Sequence, residues 1–479
     1  MKQIDGAHTR TKIVATIGPA SDNTETLARM AEAGMDVARL NFSHGTPEEK
    51  AATAERVHQA ADRSGRQIAV LQDLPGPKLR IGPLKDGVAE LKPGDKLTLV
   101  CGSTDEGDAR RMSVAWPDLG NAVEPGEVIY LADGSVRLRV KAVREGCEVD
   151  TDVELGAAVS SRQGLNVPGS LAALPAVPEE DLELLRFGEE EMGVDMVALS
   201  FVRKAQDVED VRAHTKLPLI AKIEKPQAVV EAEAIVHAAD CVMVARGDLG
   251  IELKIEEVPL VQKKILRLAG ELARPAITAT QMLESMVTST RPTRAEVTDV
   301  ANAILDGTDA VMLSQETAIG AHPVEAVAMM EAIARRTEQE VPYEQWNETR
   351  VRRLSRADQD PAYTIAYNAT AAARQLELSA LVIPTLSGRS ARLVAAHRPQ
   401  VPVYVLSPLE ATVRRCALIW GVEAASIGRH EVTEELIADA SRRVVELGWV
   451  KEGDRIGITA GLPSGKPDTT SLLQIQTAG

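Results

Sequence analysis

The segment LPLIAKIEKPQAVVEAEAIVHAADCVMVARGD, Leu217 to Asp248, carries two short apolar runs, Leu219–Glu224 and Val242–Arg246, separated by a longer stretch of helical spacing. Each run is nearly continuous in apolar character, as a strand buried on both faces must be. Each also ends in charge: Lys222-Ile223-Glu224 in the first, Arg246-Gly247-Asp248 in the second. The same pattern recurs outward at Ile13–Ile17, Val37–Asn41, Ile68–Asp73, Met196–Phe201, Ala276–Thr280 and Ala310–Ser314. Amphipathic stretches lie between the runs, among them Thr24–Ala33, Pro47–Arg63, Asp181–Met192 and Glu257–Leu272. Eight buried strands alternating with helices predict an α/β fold built on a (β/α)8 barrel, the TIM barrel, and not a dinucleotide-binding sheet.

One interval breaks the alternation. From Leu74 to Pro168 turn signals replace helical periodicity: Asp86-Gly87, Pro93-Gly94, Pro125-Gly126 and Asp133-Gly134. The last pair, between VIYLA and SVRLRV, reads as a hairpin. The interval is expected to be a small all-β domain inserted after the third barrel strand, where entry and exit points are neighbours. The basic stretch from Asn347 to Asp360 reads as a linker or a solvated helix face. Beyond it ALVIPTLSG, VPVYVLS, VEAASI and DRIGITAG alternate with helical patterns, predicting a C-terminal open α/β domain. The expected division is the barrel over 1–73 and 169–345, the inserted β domain over 74–168 and the C-terminal α/β domain over 346–479.

Composition excludes several function classes. Over 479 residues, 54 Lys and Arg face 70 Asp and Glu, for a net charge of −16. Nucleic acid calls for a basic surface, and the 3 Phe, 4 Trp and 5 Tyr are too few for a base-stacking platform. The four cysteines, Cys101, Cys147, Cys241 and Cys416, form no CxxC pair, which argues against thiolate metal ligation and a disulfide framework. MKQIDGAHTRTKIVATIG lacks the apolar core of a signal peptide, and no window has the roughly 20 apolar residues of a membrane span. A cytoplasmic chain with no membrane partner is the expectation.

A barrel places its chemistry at the C-terminal ends of its strands. Six ends here are polar: Arg39 to Gly45, Asp73, Lys222 to Glu224, Arg246 to Asp248, Thr280, and Ser314 to Glu316. Buried polar groups are costly unless used, so six converging on one face mark a site. Glu224 and Asp248 are hard oxygen donors suited to Mg2+. Lys222 lies two residues before Glu224 and leaves the strand on the same side. Arg39 and Arg80 are suited to bidentate phosphate contacts, and Gly247 and Asp248 offer backbone N–H groups to a carboxylate. A divalent ion, a lysine and arginines around a phosphorylated acid point to phosphoryl transfer by charge stabilisation. No GxxxxGK[ST] loop and no nucleophilic triad is present.

With those residues placed, the motifs TKIVATIGPAS, MDVARLNFSHGT, LIAKIE, VMVARGDLGIEL, TATQMLESM, RPTRAEVTDVANAILDGTDAVMLSQETA and TLSGRSA together resemble the pyruvate kinase family from Thr11 onward. The resemblance implies transfer of the phosphoryl group of phosphoenolpyruvate to ADP, giving pyruvate and ATP in glycolysis. It implies that Glu224 and Asp248 hold Mg2+ or Mn2+, that Lys222 and Arg39 flank the phosphoryl group, and that Gly247, Asp248 and Thr280 position the substrate carboxylate. Thr280 would also belong to the proton path to the enolate carbon. Pro19, Asn41, His44 and Arg80 would line the nucleotide phosphates. The family's usual homotetramer is implied as well, with Arg291 and Arg294 near a subunit interface. Thr293 and Glu296 also make a T-x-x-E capping box, which needs no catalytic role.

The chain departs from the family at instructive places. K+-dependent members hold the ion with the residues equivalent to Asn41, Ser43 and Asp73, then continue Thr-Lys-Gly-Pro-Glu; here Leu74-Pro75-Gly76-Pro77-Lys78 follows. A tethered ammonium at Lys78 supplies the charge that K+ would otherwise bring, so the resemblance implies that K+ is not required. Glu180 replaces a lysine that contacts nucleotide phosphate in relatives, and Gln315 replaces a glycine. Thr385-Leu386-Ser387-Gly388-Arg389-Ser390, between a strand and a helix, reads as an anion nest or an ordinary N-cap turn. In allosteric relatives this loop takes a sugar phosphate, which makes Thr385, Ser387, Gly388, Arg389 and Ser390 candidate effector contacts. A second loop, Gly461 to Ser471, differs from bisphosphate-responsive members and leaves the effector's identity open. Two other readings are a carbon–carbon lyase or mutase on the same barrel and a non-catalytic sugar-phosphate sensor. The first would lack the inserted lid and C-terminal domain; the second should have lost Lys222 or a metal acid.

Overall fold

Side-chain alternation along eight short strands separates an inside from an outside. The computed structural model describes residues 9–77, 79–145, 147–167, 177–343, 360–461 and 470–479. Its barrel strands are β1 (Lys12–Thr16), β2 (Val37–Asn41), β3 (Ala69–Asp73), β4 (Met196–Leu199), β5 (Leu219–Ile223), β6 (Cys241–Ala245), β7 (Ala276–Ala279) and β8 (Ala310–Leu313). Each lies parallel to the next, and β8 closes on β1 with Lys12 opposite Ala310. The eight expected runs are these eight strands, their ends differing by one or two residues.

Val37, Leu71, Ile220, Met243, Ile277 and Met312 fill the barrel interior, above Ala417 and Leu418 of the C-terminal domain, which close its floor. Their neighbours Ala38, Val70, Ala221, Val242 and Val311 pack outward in the larger core under the helices. The period-two register then carries Thr16, Arg39, Asp73 and Lys222 inward at the upper ends of their strands. Gln72, one residue off this register, points outward and donates to the Leu184 carbonyl at 2.7 Å.

The chain leaves the barrel after β3 and returns at β4, which pairs with β3 through Met196 opposite Leu71. Between them a six-stranded sheet and a two-stranded sheet enclose their own core, including Leu97, Leu99, Met112, Ile129 and Leu138. The expected hairpin is present, Val128–Leu131 against Val136–Arg144 with Leu131 opposite Val136. Its connection is a 3-10 turn over Ala132–Gly134, longer than a two-residue turn, with Ala132 at φ 53° and Gly134 at φ 90°. This tip reaches the barrel mouth: a Cβ added at Gly134 would stand 3.6 Å from Ile251 Cγ1 on the helix Arg246–Glu252.

The C-terminal sheet has the spatial order Val422–Ser426, Val403–Ser407, Ala380–Pro384, Arg455–Gly461, Thr470–Thr477, with only the last strand antiparallel. It docks against the base of the barrel, where Arg414 Nε meets Asp195 at 2.8 Å and Arg398 Nη1 meets Asp309 at 2.9 Å. The expected linker from Asn347 lies outside the described residues except for Asp360.

The Thr293–Glu296 capping box starts the helix Arg294–Leu305, each side chain bonding the other's backbone N–H. Thr293→Ala should therefore cost about 1 kcal/mol of stability. Urea titration of wild type and variant measures this; coincident midpoints would show that the box contributes nothing.

Candidate functional site

Three strands deliver the charges at the centre of the mouth. Asp73, at the end of β3, is 1% exposed and accepts a hydrogen bond from Arg39 Nε at 2.6 Å. Lys222 Nζ, from β5, stands 3.3 Å from Asp73 Oδ1 and 2.9 Å from Glu224 Oε1. Lys222 also donates to Ser200 Oγ at 2.8 Å, and Ser200 donates on to the Leu74 carbonyl at 2.7 Å. Arg39 is fixed from its other side by Nη1 to Thr16 Oγ1 at 2.8 Å, and neither of these bonds uses Nη2.

The electrostatics follow from burial and proximity. Burial opposes the Lys222 ammonium, yet Asp73 and then Glu224 outweigh it and hold its pKa above the ordinary lysine value. Burial likewise opposes the Asp73 carboxylate, and Lys222 and Arg39 reverse the sign, holding it below the usual range. Glu224 goes the other way: burial first, then the negative charge of Asp248, push it up against the pull of Lys222.

Glu224 is fully buried, and the Phe201 N–H holds its Oε2 at 2.7 Å. Its Oε1 lies within ion-pair distance of Lys222 but accepts no aligned hydrogen bond. A buried carboxylate oxygen that lacks an aligned donor, in the field of a second carboxylate, is a donor set that a hard divalent ion satisfies. Among the described residues no group of three or more His, Cys, Asp or Glu is placed for a metal. Glu224 and Asp248 therefore fit an ion completed by substrate oxygens and water.

Two non-glycine residues following barrel strands carry backbone strain. Thr280 has φ 68° and Phe201 has φ 59°, left-handed conformations that non-glycine residues adopt at a cost of about 1–3 kcal/mol each. Thr280 Oγ1 accepts the Gly247 N–H at 2.7 Å and donates to the Ala279 carbonyl at 2.7 Å. The Gly247 N–H expected to meet substrate is thus held by Thr280, and a bound carboxylate would compete with that hydroxyl. Arg246 is tied to Asp299 at 2.6 Å and to the Thr280 carbonyl at 2.7 Å, so it braces the corner.

Asn41 lies opposite Asp73 in the β2–β3 register, and Asn41 Oδ1 accepts the Ser43 N–H at 3.0 Å. Lys78 lies outside the described residues. Pro19 and His44 are exposed on the loops after β1 and β2. Arg80 begins the insert and donates to the Arg162 carbonyl at 3.1 Å. Glu180 is exposed in the first turn of the helix Glu179–Glu190. Gln315 is exposed too, so its replacement of glycine disturbs no core packing. Glu316, counted among the polar strand ends, serves the backbone: it accepts the N–H groups of Leu283 at 3.0 Å and Ser314 at 2.7 Å.

Sequence reasoning missed Ser200, although continuing the alternation from Met196 and Ala198 would have turned it inward. It also missed Asp181 as a contact. That carboxylate accepts the Gly76 N–H at 2.7 Å where the insert departs, and a Cβ on Gly76 would stand 2.8 Å from Ser200 Cβ. Burial, against the Gly76 bond and with help from Glu180 and Asp73, pushes Asp181 up to about 6. A carboxyl whose folded pKa exceeds its unfolded value loses stability as pH rises between the two, here from about 4 to about 6. Asp181→Asn should accordingly stabilise the chain above pH 6 by on the order of 2–3 kcal/mol, with the gain fading near pH 4. Melting curves at pH 7.5 and pH 4 check this; an identical difference at both would defeat it.

Comparison with known proteins places this arrangement. Residues 8–327 match the pyruvate kinase barrel domain and residues 363–476 the pyruvate kinase alpha/beta domain. A pyruvate kinase of Geobacillus stearothermophilus is 43% identical over 473 residues, 97% of this chain and 80% of the relative. One from Mycobacterium tuberculosis is 41% identical over 475 residues, 98% of both chains. The crystal structure of a pyruvate kinase from Cryptosporidium parvum superposes with a TM-score of 0.90 at 30% identity, covering 100% of this chain and 99% of that one.

Proposed function

The chain belongs to the pyruvate kinase family and is a phosphotransferase acting on phosphoenolpyruvate and ADP, and on that premise we propose how its residues divide the work. Glu224 and Asp248 would hold Mg2+ or Mn2+, which when bound would supply positive charge against the substrate's anionic groups. Lys222 faces the phosphoryl group and the enolate oxygen that gains the electron pair as the phosphorus–oxygen bond breaks. Arg39 holds the phosphoryl oxygens from the other side with the guanidinium end left over from Asp73 and Thr16. A terminal ADP oxygen forms the new bond, and the enolate carbon takes its proton through a path that includes Thr280. Gly247, Asp248 and Thr280 position the carboxylate; Pro19, Asn41, His44 and Arg80 receive the nucleotide phosphates.

The observation that carries this reading is the Lys222 ammonium, buried between Asp73 and Glu224 at the open end of the barrel. Such a charge is preorganised for an anionic transition state. A coupled assay of pyruvate formation with phosphoenolpyruvate, ADP and Mg2+ tests it; absence of pyruvate, or a carbon–carbon product in its place, would overturn it. The same reading has the enzyme working without K+ through Lys78, in the cytoplasm and as a homotetramer. Light scattering in solution tests the last point, with a monomer as the contrary result.

Regulation by a sugar phosphate is proposed for the C-terminal domain. The Thr385–Ser390 loop follows the strand Ala380–Pro384, next to Arg455–Gly461, where strand order reverses, the position at which open α/β sheets bind ligands. Gly388 has φ 81° and its N–H donates to Thr385 Oγ1 at 3.0 Å, while the Arg389 N–H donates to Ser387 Oγ at 3.3 Å. Arg389 pairs with Asp360, and the hydroxyls of Ser390 and Thr470 bond each other. Of the adjoining loop, residues 462–469 lie outside the described residues. An effector is expected to lower the half-saturating phosphoenolpyruvate concentration several-fold. Saturation curves that do not move with any sugar phosphate would leave the loop an ordinary helix start.

A further inference from the structure

The helix Arg246–Glu252 bears Gly247 and Asp248, yet of its residues only Leu249 is buried. A helix of two turns is marginal by itself, and one packed apolar side chain does not fix its place against the barrel. Its position is set by what is tied to its ends. The first end is held through Arg246, which pairs with Asp299 and donates to the Thr280 carbonyl. At the last residue Glu252 pairs with Lys225, and the two side chains are only 1% and 5% exposed. The second oxygen of Glu252, Oε2, is buried with no hydrogen-bond partner among the described residues, so Lys225 is the group that holds this carboxylate.

Lys225 is the residue after Glu224, where β5 gives way to the helix Pro226–Val230. Its Nζ stands 5.3 Å from the centre of the Phe201 ring, and the Phe201 N–H is the donor that holds Glu224 Oε2 at 2.7 Å. One buried ammonium therefore meets three separate pieces of chain: the end of β5 with Glu224, the loop after β4 with Phe201, and the last turn of the helix that bears Asp248. Nothing else described so far joins Glu224 to that helix.

We propose that Lys225 and Glu252 are positioning residues, whose buried pair fixes Asp248 relative to Glu224 and thereby sets the affinity of the divalent-ion site. The inference rests on the reading that those two carboxylates hold the ion. The pair acts through the backbone of β5 and of the helix. A buried ion pair contributes little net stability that apolar side chains could not supply, whereas partners behind metal-binding groups are worth about 10–100-fold in metal affinity or activity. Position and bare charge predict opposite signs at Lys225: removing a cation beside the site favours a divalent ion, while losing the tie weakens its binding.

The test titrates the full chain with Mn2+ and reads the free ion from its electron paramagnetic resonance signal, so that binding is measured apart from turnover. Lys225→Met/Glu252→Leu removes both charges, leaves the net charge unchanged and is expected to melt close to wild type. It should nevertheless bind Mn2+ about tenfold more weakly and lose about tenfold in kcat. Lys225→Met alone should also weaken Mn2+ binding, against the direction of its charge. Wild-type Mn2+ affinity in the double variant, or equal or tighter binding in Lys225→Met, overturns the proposal. Glu224→Gln distinguishes the two levels of failure. If it leaves Mn2+ affinity unchanged, the ion is not held there and the positioning role falls with the site; if it weakens affinity and the double variant does not, the positioning role alone falls.

Discussion

Lys222→Met is expected to lower kcat by about three orders of magnitude, while the KM for phosphoenolpyruvate stays within a few-fold of wild type. In the proposed division of work the ammonium meets charge that develops on the phosphoryl and enolate oxygens, so its loss would fall on the transition state more than on substrate binding. Methionine keeps the length of the stem and removes only the charge and its donors. Ser200, which takes one of those donors at 2.8 Å, loses its orienting partner at the same time. Steady-state kinetics with coupled pyruvate detection give the answer, and a kcat within tenfold of wild type would remove Lys222 from the reaction.

The same substitution has a second signature. Without the ammonium, Asp73 keeps its pair with Arg39 while Glu224 loses the cation it faced. Breaking a buried pair costs about 3–5 kcal/mol if the charges persist, and less if a carboxyl takes up a proton. A carboxyl raised above its unfolded pKa destabilises progressively as pH rises through the raised value. The variant should therefore melt close to wild type at pH 5 and fall further behind at pH 8. A structural filler would show no such slope.

That pair of effects rests on a geometry partly legible in the sequence. The inward register of Arg39, Asp73, Lys222 and Glu224 follows from period-two alternation in nearly continuous apolar runs, so strand ends alone bring them together. What alternation cannot give is who holds whom. The Glu224–Phe201 bond joins residues 23 apart and the Asp181–Gly76 bond residues 105 apart. Such contacts depend on loop paths between strands, and loops carry no periodicity. The left-handed conformations of Phe201 and Thr280 were hidden for a related reason, since a sequence marks positive φ only where it places glycine. Nor does a strand end distinguish a substrate group from a backbone bracket: Glu316 has the residue type of a ligand and the bonds of a brace.

Lys78→Glu is expected to turn an enzyme indifferent to K+ into one that needs it. Wild type should run at full rate in tetramethylammonium buffer, with added KCl changing the rate less than twofold. The variant should lose on the order of 10²-fold there and recover most of it with KCl. The magnitude is that of losing one preorganised charge contact to the transition state, about 10²-fold or ~3 kcal/mol. Asn41 and Asp73 lie opposite each other in register and Ser43 is bonded to Asn41, so the oxygen donors that the proposed monovalent-cation site would use are gathered there. Asp73 is meanwhile fully engaged with Arg39 and Lys222, so it has little charge left to draw a free ion unaided. A carboxylate five residues downstream of Asp73 would supply that pull, where on the proposed reading Lys78 would repel K+ and take its place. Lys78→Met separates the two roles, because it should lose rate in either buffer without gaining a response to KCl. Strong activation of the wild-type enzyme by KCl would show that the ammonium does not stand in for the ion.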